Sequence, residues 1–272
     1  MKKLAIALIG LCLTAAPAQA DPLHQQAVAL TQQSAPIIIG RSGLVDGERH
    51  MDVEMSAFPH VSAVDPLVDI GSLTKFVTAV VVLHMVEAGE FMLNTTLSEL
   101  LPNVPEDKRD ITIHQLLTHS SGLVESTGSD EEVLGRDAFL NRLMVAPLAH
   151  PVGAQYLYSN AGYSLLAAIV EVKAGMSFDD YLNQHVLAAN DLPAMGYQIA
   201  YDPALSMKSG RSWRTWFQPS AIAEASWGGP TPGWNLIGNG GAVATAEGFL
   251  LFWDAFYSGR IVTPSLVDLA LT

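Results

Sequence analysis

The chain has 272 residues, with 14 basic and 27 acidic side chains, a formal net charge of −13 and one cysteine. That excess of acid argues against nucleic acid and anionic membrane surfaces as partners. A single cysteine rules out an intrachain disulfide framework.

The first residues, "MKKLAIALIGLCLTAAPAQA", predict a secretory signal peptide. Lys2 and Lys3 form the basic start, residues 4–13 the apolar run, and Ala18-Gln19-Ala20 the small-residue cleavage site. The segment is too short to cross a bilayer as a membrane helix. Cleavage is expected after Ala20, leaving residues 21–272. Cys12 lies in the removed segment, and Leu11 stands where a lipoprotein signal carries a small residue, so no lipid anchor is expected. Without Lys2 and Lys3 the exported chain holds 12 basic against 27 acidic residues, a net charge near −15, and no thiol. A bacterial periplasm is the expected compartment. No later apolar run is long and uncharged enough to span a membrane, and about 250 residues suffice for one large core or two intimate lobes.

Residues 22–33 carry a helical pattern. Two strand-like arms follow, "PIIIGRSGLV" and "ERHMDVEMSAF", flanking Asp46-Gly47, a pair suited to a tight hairpin turn. In the second arm Met51, Val53, Met55 and Ala57 alternate with Asp52, Glu54 and Ser56, as in a half-buried strand. The continuous isoleucines of the first arm predict a strand covered on both faces. From residue 71 to about 190 the pattern is helical. The helix after Gly71 is expected to end at Gly89. Thr112 opens a helix with a T-x-x-Q capping box, stopped by "HSSG". Residues 160–174 and 177–189 predict two further helices separated by Gly175. Residues 202–235, rich in Pro, Gly, Ser and Trp, predict an irregular excursion. "GNGGAVATAEGFLLFWDAFYSG" is a glycine turn entering a helix, and the pattern is still helical at Thr272. A two-stranded hairpin is marginal alone, and the only later strand candidates are short, such as "GYQIAY". The sheet is expected to be incomplete.

The helix after Gly71 contains an oddity. In "DIGSLTKFVTAVVVLHMVEAGE", Lys75 falls in the first turn, where the helix dipole disfavours a cation. Three residues before it stands Ser72, close enough on a helix face to touch. The helix N-terminus and apolar surroundings would lower the lysine pKa and fit it to accept a proton from the hydroxyl. First-turn N–H groups would meet a developing oxyanion. The plainer alternative has Ser72 capping the helix and Lys75 reaching solvent. A second stretch, "PVGAQYLYSNAGYSLLAAIVE", places Tyr158 and Asn160 just before an apolar helix. A phenol near a lysine suits proton transfer and an amide suits orientation of lysine and substrate. A loop aromatic with no such role is the alternative for Tyr158. The competing pair Tyr181 and Asn183 lies mid-helix, where packing explains the tyrosine.

Four phrases, "IGSLTKFVTAVV", "ITIHQLLTHSSGL", "YSNAGYSLLAAIVE" and "GNGGAVATAEGFLLF", occur in the order found in class C β-lactamase-like serine hydrolases, which the chain resembles from about residue 36 onward. The family includes class C β-lactamases, D-alanyl-D-amino-acid peptidases and esterases. The resemblance implies an α/β (α+β) fold, an antiparallel sheet domain (about 21–70 and 236–272) packed against a helical part (about 71–235). It implies Ser72 as the acylated nucleophile, Lys75 and Tyr158 as the proton-transfer pair, and Asn160 as a substrate-contacting amide. It implies no metal and no organic cofactor. The expected partner is a small molecule or a peptidoglycan peptide, and the oligomeric state is left open.

The family's third motif, K-T-G or H-x-G on a strand after the glycine-turn helix, has no counterpart up to Thr272. Lys208-Ser209-Gly210 is similar in spelling but precedes the glycine turn. The expected alternatives to an active hydrolase are therefore an impaired, penicillin-binding-like protein or a fragment without turnover. His119 is expected to serve a structural turn. The eight histidines show no metal-ligand spacing. Trp213, Trp216, Trp227 and Trp234 either line a pocket or anchor the excursion.

Overall fold

The computed structural model describes residues 38–45, 48–55, 67–130, 132–197 and 233–271, with the strands of the hairpin and residues 68–69 traced by backbone. The core is organised around two helices that are apolar on nearly every side. Helix α1, Thr74–Glu87, buries Val77, Val80, Val81, Val82, Leu83 and Met85. It ends in a Schellman closure: the Gly89 N–H donates to Val86 C=O and the Glu90 N–H to Met85 C=O, both at 3.1 Å. Gly89 takes φ +78°, the left-handed conformation that this closure requires.

Two short helices follow, α2 at Leu97–Leu100 and α3 at Ile113–Leu117, each opened by a reciprocal capping box, Thr96 with Glu99 and Thr112 with Gln115. The Gln115 N–H donates to Thr112 Oγ1 at 3.2 Å and the Thr112 N–H to Gln115 Oε1 at 3.0 Å, so two otherwise orphaned donors are satisfied. Replacing Thr112 with Ala is expected to lower unfolding stability by about 1 kcal/mol, read as an earlier urea midpoint at unchanged slope. An unchanged midpoint would show that tertiary packing alone fixes this turn.

Helix α4, Arg136–Val145, packs beside α5, Asn160–Ala174. Every residue of α5 from Ala161 to Val170 is buried, and α1, α3 and α4 all pack on it. A helix that is apolar all round belongs inside a core, and α5 is the axis of this one. It closes at Gly175, φ +68°. Where one α-helix over 177–189 was expected, the backbone forms one α-turn, α6 at Phe178–Tyr181, then a π-helix at Leu182–Leu187 and a 3₁₀ turn at Ala188–Asn190. The cause is visible at Asn183: its amide donates to Asp179 C=O and to Met195 C=O, both at 2.9 Å. That side chain takes a helix carbonyl and ties the turn to the following segment, which widens the spiral.

Strands β1, Ile38–Val45, and β2, Glu48–Met55, pair antiparallel with Ile38 opposite Met55 and Val45 opposite Glu48, as the two arms predict. Asp46-Gly47, the helix expected at 22–33, the excursion up to residue 232, and with them Lys208-Ser209-Gly210, Trp213, Trp216 and Trp227, lie outside the described residues. A second antiparallel pair joins β3, Val68–Asp69, to β4, Val243–Ala244, extended by a bridge from Gly196 to Val243. Helix α7, Ala246–Tyr257, lies along β1 and β2. It meets α1 through Phe76, whose ring is edge-on to Phe252 and Phe256 at 5.8 and 5.4 Å. Helix α8 is Pro264–Leu271. The whole is helices on antiparallel strands, with few strands among the described residues. None of the described helices is long and apolar enough to cross a membrane.

Candidate active site

The β3–β4 pairing builds the site. β3 leads directly into a 3₁₀ turn, Gly71–Leu73, and then into α1, while β4 is preceded by the glycine turn 238–241. Pairing of Val68 with Ala244, continued by the Ile70 N–H to Ala242 C=O bond at 3.0 Å, sets the start of α1 against that turn. Residues far apart in sequence thus meet: the Lys75 ammonium donates to the Asn239 backbone carbonyl at 2.6 Å, and Thr78 Oγ1 donates to Gly238 C=O at 2.7 Å.

Ser72 lies in the 3₁₀ turn and is exposed to solvent. It does not cap α1: the capping position is Leu73, with no side-chain cap bond. Its hydroxyl oxygen instead accepts from Tyr158 O–H at 2.9 Å. Lys75 does not reach solvent either. It is 6% exposed, and its Nζ lies 4.7 Å from the centre of the Tyr158 ring and 5.8 Å from that of Tyr163. Burial brings its pKa down from 10.5 to about 8, opposed by the charge of Asp130. The ring contacts are of the kind that hold a cation while leaving it poorly hydrated. Among the described residues no hydrogen bond joins Lys75 to Ser72; the hydroxyl that reaches Ser72 is that of Tyr158.

Asn160 is the first residue of α5 and half-buried. Its neighbours fix the entry of that helix. Ser159 Oγ accepts from the Gly162 N–H at 2.9 Å and donates to Val124 C=O at 2.6 Å, and the Ala161 N–H donates to Glu125 C=O at 3.0 Å. No hydrogen bond joins Asn160 to Ser72 or Lys75 among the described residues. The competing pair is occupied elsewhere, with Tyr181 O–H at 3.0 Å from His84 Nδ1 and Asn183 tied to backbone carbonyls. Trp234 is buried in the core, its ring 6.1 Å from that of Phe139.

Two groups at the site escaped the sequence reading, and a third was expected only to shape a turn. The first is Asn239, whose carbonyl holds Lys75 while its amide donates to Ser164 Oγ at 2.8 Å and Asn235 C=O at 2.7 Å. The second is Tyr163, which donates to Leu117 C=O at 3.0 Å; burial pushes its pKa up to about 12, so it stays a neutral phenol beside the lysine. The third is His119, its ring tilted against that of Tyr158 at 4.7 Å and that of Tyr163 at 4.9 Å. Each sits inside a phrase that marks the family, and position within those phrases was the only signal.

Residues 44–263 match the family described as Beta-lactamase. Penicillin-binding protein 4 of Amycolatopsis lactamdurans is 33% identical over 130 residues, which is 45% of this chain and 34% of that protein. Protein flp of Staphylococcus aureus (strain MW2) is 29% identical over 166 residues, 56% of this chain and 32% of flp. The chain spans about a third of the length of these curated relatives. The crystal structure of a penicillin binding protein from Bacillus halodurans superimposes with a TM-score of 0.68 at 23% identity, over 91% of this chain and 78% of that one, a likeness of fold.

Proposed function

We propose, starting from a chain that belongs to the beta-lactamase family of serine hydrolases, that its activity runs through an acyl-enzyme on Ser72. The substrate is an ester, a β-lactam or a D-amino-acid peptide. One observation carries the reading: an exposed serine hydroxyl bonded at 2.9 Å to a tyrosine whose ring holds a buried lysine. Exposure gives a substrate carbonyl access to Ser72, and the tyrosine gives its proton somewhere to go.

In the first step Ser72 Oγ bonds to the carbonyl carbon as its proton passes to the Tyr158 oxygen, while the phenol gives up its own proton to the neutral amine of Lys75. The carbonyl electron pair moves onto oxygen beside the start of α1, where the positive end of the helix dipole favours negative charge. Lys75, with a pKa of about 8, is the base that balances the charge as the proton moves. Collapse of the oxyanion breaks the bond to the alcohol or amine, which leaves with that proton. Water then hydrolyses the ester at Ser72, and the serine regains its proton. Asn160, at the mouth of α5, is placed to contact the bound substrate.

The test is intact mass before and after a fluorophosphonate or a reactive β-lactam, followed by peptide mapping. One adduct, mapped to Ser72, is expected. An adduct on another residue, or none, would sink the assignment. A permanent β-lactam adduct with no ester turnover would make the protein a binder in place of a hydrolase. We further propose export to a bacterial periplasm with cleavage after Ala20, which an N-terminus at Asp21 in protein from the host would support and a retained Met1 would overturn.

A further inference from the structure

His119 makes a pattern of contacts that a turn residue does not need. It follows α3 in the left-handed region, φ +56°, which non-glycine residues seldom adopt, although histidine and asparagine are among those that do. In that conformation its backbone carbonyl accepts from the Leu157 N–H at 2.8 Å. Its ring nitrogen Nδ1 accepts from the Ser159 N–H at 3.0 Å. Both residues flanking Tyr158 are therefore bonded to His119. The imidazole also lies against the Tyr158 ring at 4.7 Å with 32° between the planes, and against Tyr163 on another side at 4.9 Å. Tyr156 contributes an edge at 5.6 Å.

Resting on the role given above to Tyr158, we propose that His119 is a positioning residue, the clamp that fixes the Tyr158 hydroxyl on Ser72. The clamp works in one protonation state only. Nδ1 must be bare to accept from Ser159, so the neutral tautomer with its proton on Nε2 is the functional one. A second proton would occupy Nδ1 and turn an acceptor into a donor facing an N–H. The groups facing the ring are Lys75, Tyr156, Tyr158 and Tyr163, and none is an acid that would favour the imidazolium. Burial and the Lys75 charge together bring the His119 pKa down from 6.5 to about 4, so the clamp holds through neutral pH. Loss of the clamp frees the Tyr158 segment by distances of the order of an ångström, enough to cost about 100-fold in rate.

The test compares His119→Asn with His119→Gly using a chromogenic ester. Asparagine tolerates the left-handed backbone and offers an amide oxygen to Ser159; glycine tolerates the backbone and offers nothing. His119→Gly is expected to lower kcat about 100-fold with KM within about twofold, and His119→Asn to recover about tenfold of that loss. Equal activity of both variants and the parent would overturn the clamp. A read-out on the native protein stands apart from activity. Imidazole ¹⁵N NMR should show His119 with Nδ1 unprotonated and Nε2 protonated, unchanged from pH 8 to about 5. A proton on Nδ1, or titration near 6.5, would overturn the proposal even if no variant folded. If the parent forms no Ser72 adduct the hydrolase reading fails, and the NMR tautomer still decides the clamp.

Discussion

Replacing Lys75 with Met is expected to slow acylation of Ser72 by about 10³-fold and, at the same time, to make the protein more stable. The first effect follows from removing the base beside Tyr158. Parent activity should rise with pH and level off above about 8, where Lys75 becomes neutral, and the variant should lose that limb. The second effect follows from linkage. Lys75 has its pKa lowered from 10.5 to about 8 on folding, so between those values the unfolded chain binds the extra proton and stability rises with pH. Below about 8 both states are protonated and the full penalty of burying the ammonium is present, roughly 3 kcal/mol. Methionine has a similar length and no charge to bury. It forfeits the charge-assisted bond to the Asn239 carbonyl, worth about 2 kcal/mol, which leaves a net gain of about 1 kcal/mol at pH 7 that fades between about pH 8 and 10.5. Urea titrations at pH 7 and pH 10 together with acylation rates measure both halves. A variant that is slower and also less stable at pH 7 would mean that Lys75 is held as a structural ion, and a parent rate that falls through pH 8 would make the ammonium the working form.

Such a trade explains why the position was conspicuous in the sequence. A lysine among valines in a first helical turn violates a local rule, and violations of that kind gather at functional sites. The same logic made the helix ends legible: Gly89, Gly175 and the Thr112 capping box each state their geometry through one residue type. The beta-lactamase fold was legible from the order of four phrases. The π-helix was not, because it depends on an amide of Asn183 reaching back one turn and across to Met195, and no periodicity records that. Nor was the grip on Lys75. Its acceptor is a backbone carbonyl, which every residue has, so nothing about the letter at position 239 announces it. The role of His119 was hidden for a related reason. A histidine in a serine-rich turn has the composition of a loop, and only the return of residues 157–159 shows what its ring accepts.

Gly238→Ala is expected to cost about 3–5 kcal/mol, a large part of an ordinary domain's stability, and to disable the site with it. Gly238 has φ +82°, and a Cβ added there would lie 2.6 Å from the Ala167 side chain and 2.6 Å from the Tyr163 carbonyl oxygen. Both belong to α5, the most enclosed helix of the core, so neither can move without disturbing the packing around it. Strain in the left-handed region costs about 1–3 kcal/mol, and overpacking against backbone about 1–3 more. The turn can relieve the clash only by backing away from α5. That would draw on the Gly238 N–H bond to Tyr197 O–H and the Thr78 bond to Gly238 C=O, both 2.7 Å, and shift the adjoining carbonyl that holds Lys75. Gly240→Ala is the matched control. Its φ is not in the left-handed region, and the nearest atom to an added Cβ is Leu236 Cδ2 at 3.4 Å. A cost below about 1 kcal/mol is expected there. Melting of the two variants, followed by the pH dependence of acylation in whichever folds, separates the cases. If Gly238→Ala melts within a degree or two of Gly240→Ala, the turn is softer than its contacts imply. The carbonyl at 239 could then not be what keeps the ammonium of Lys75 in place.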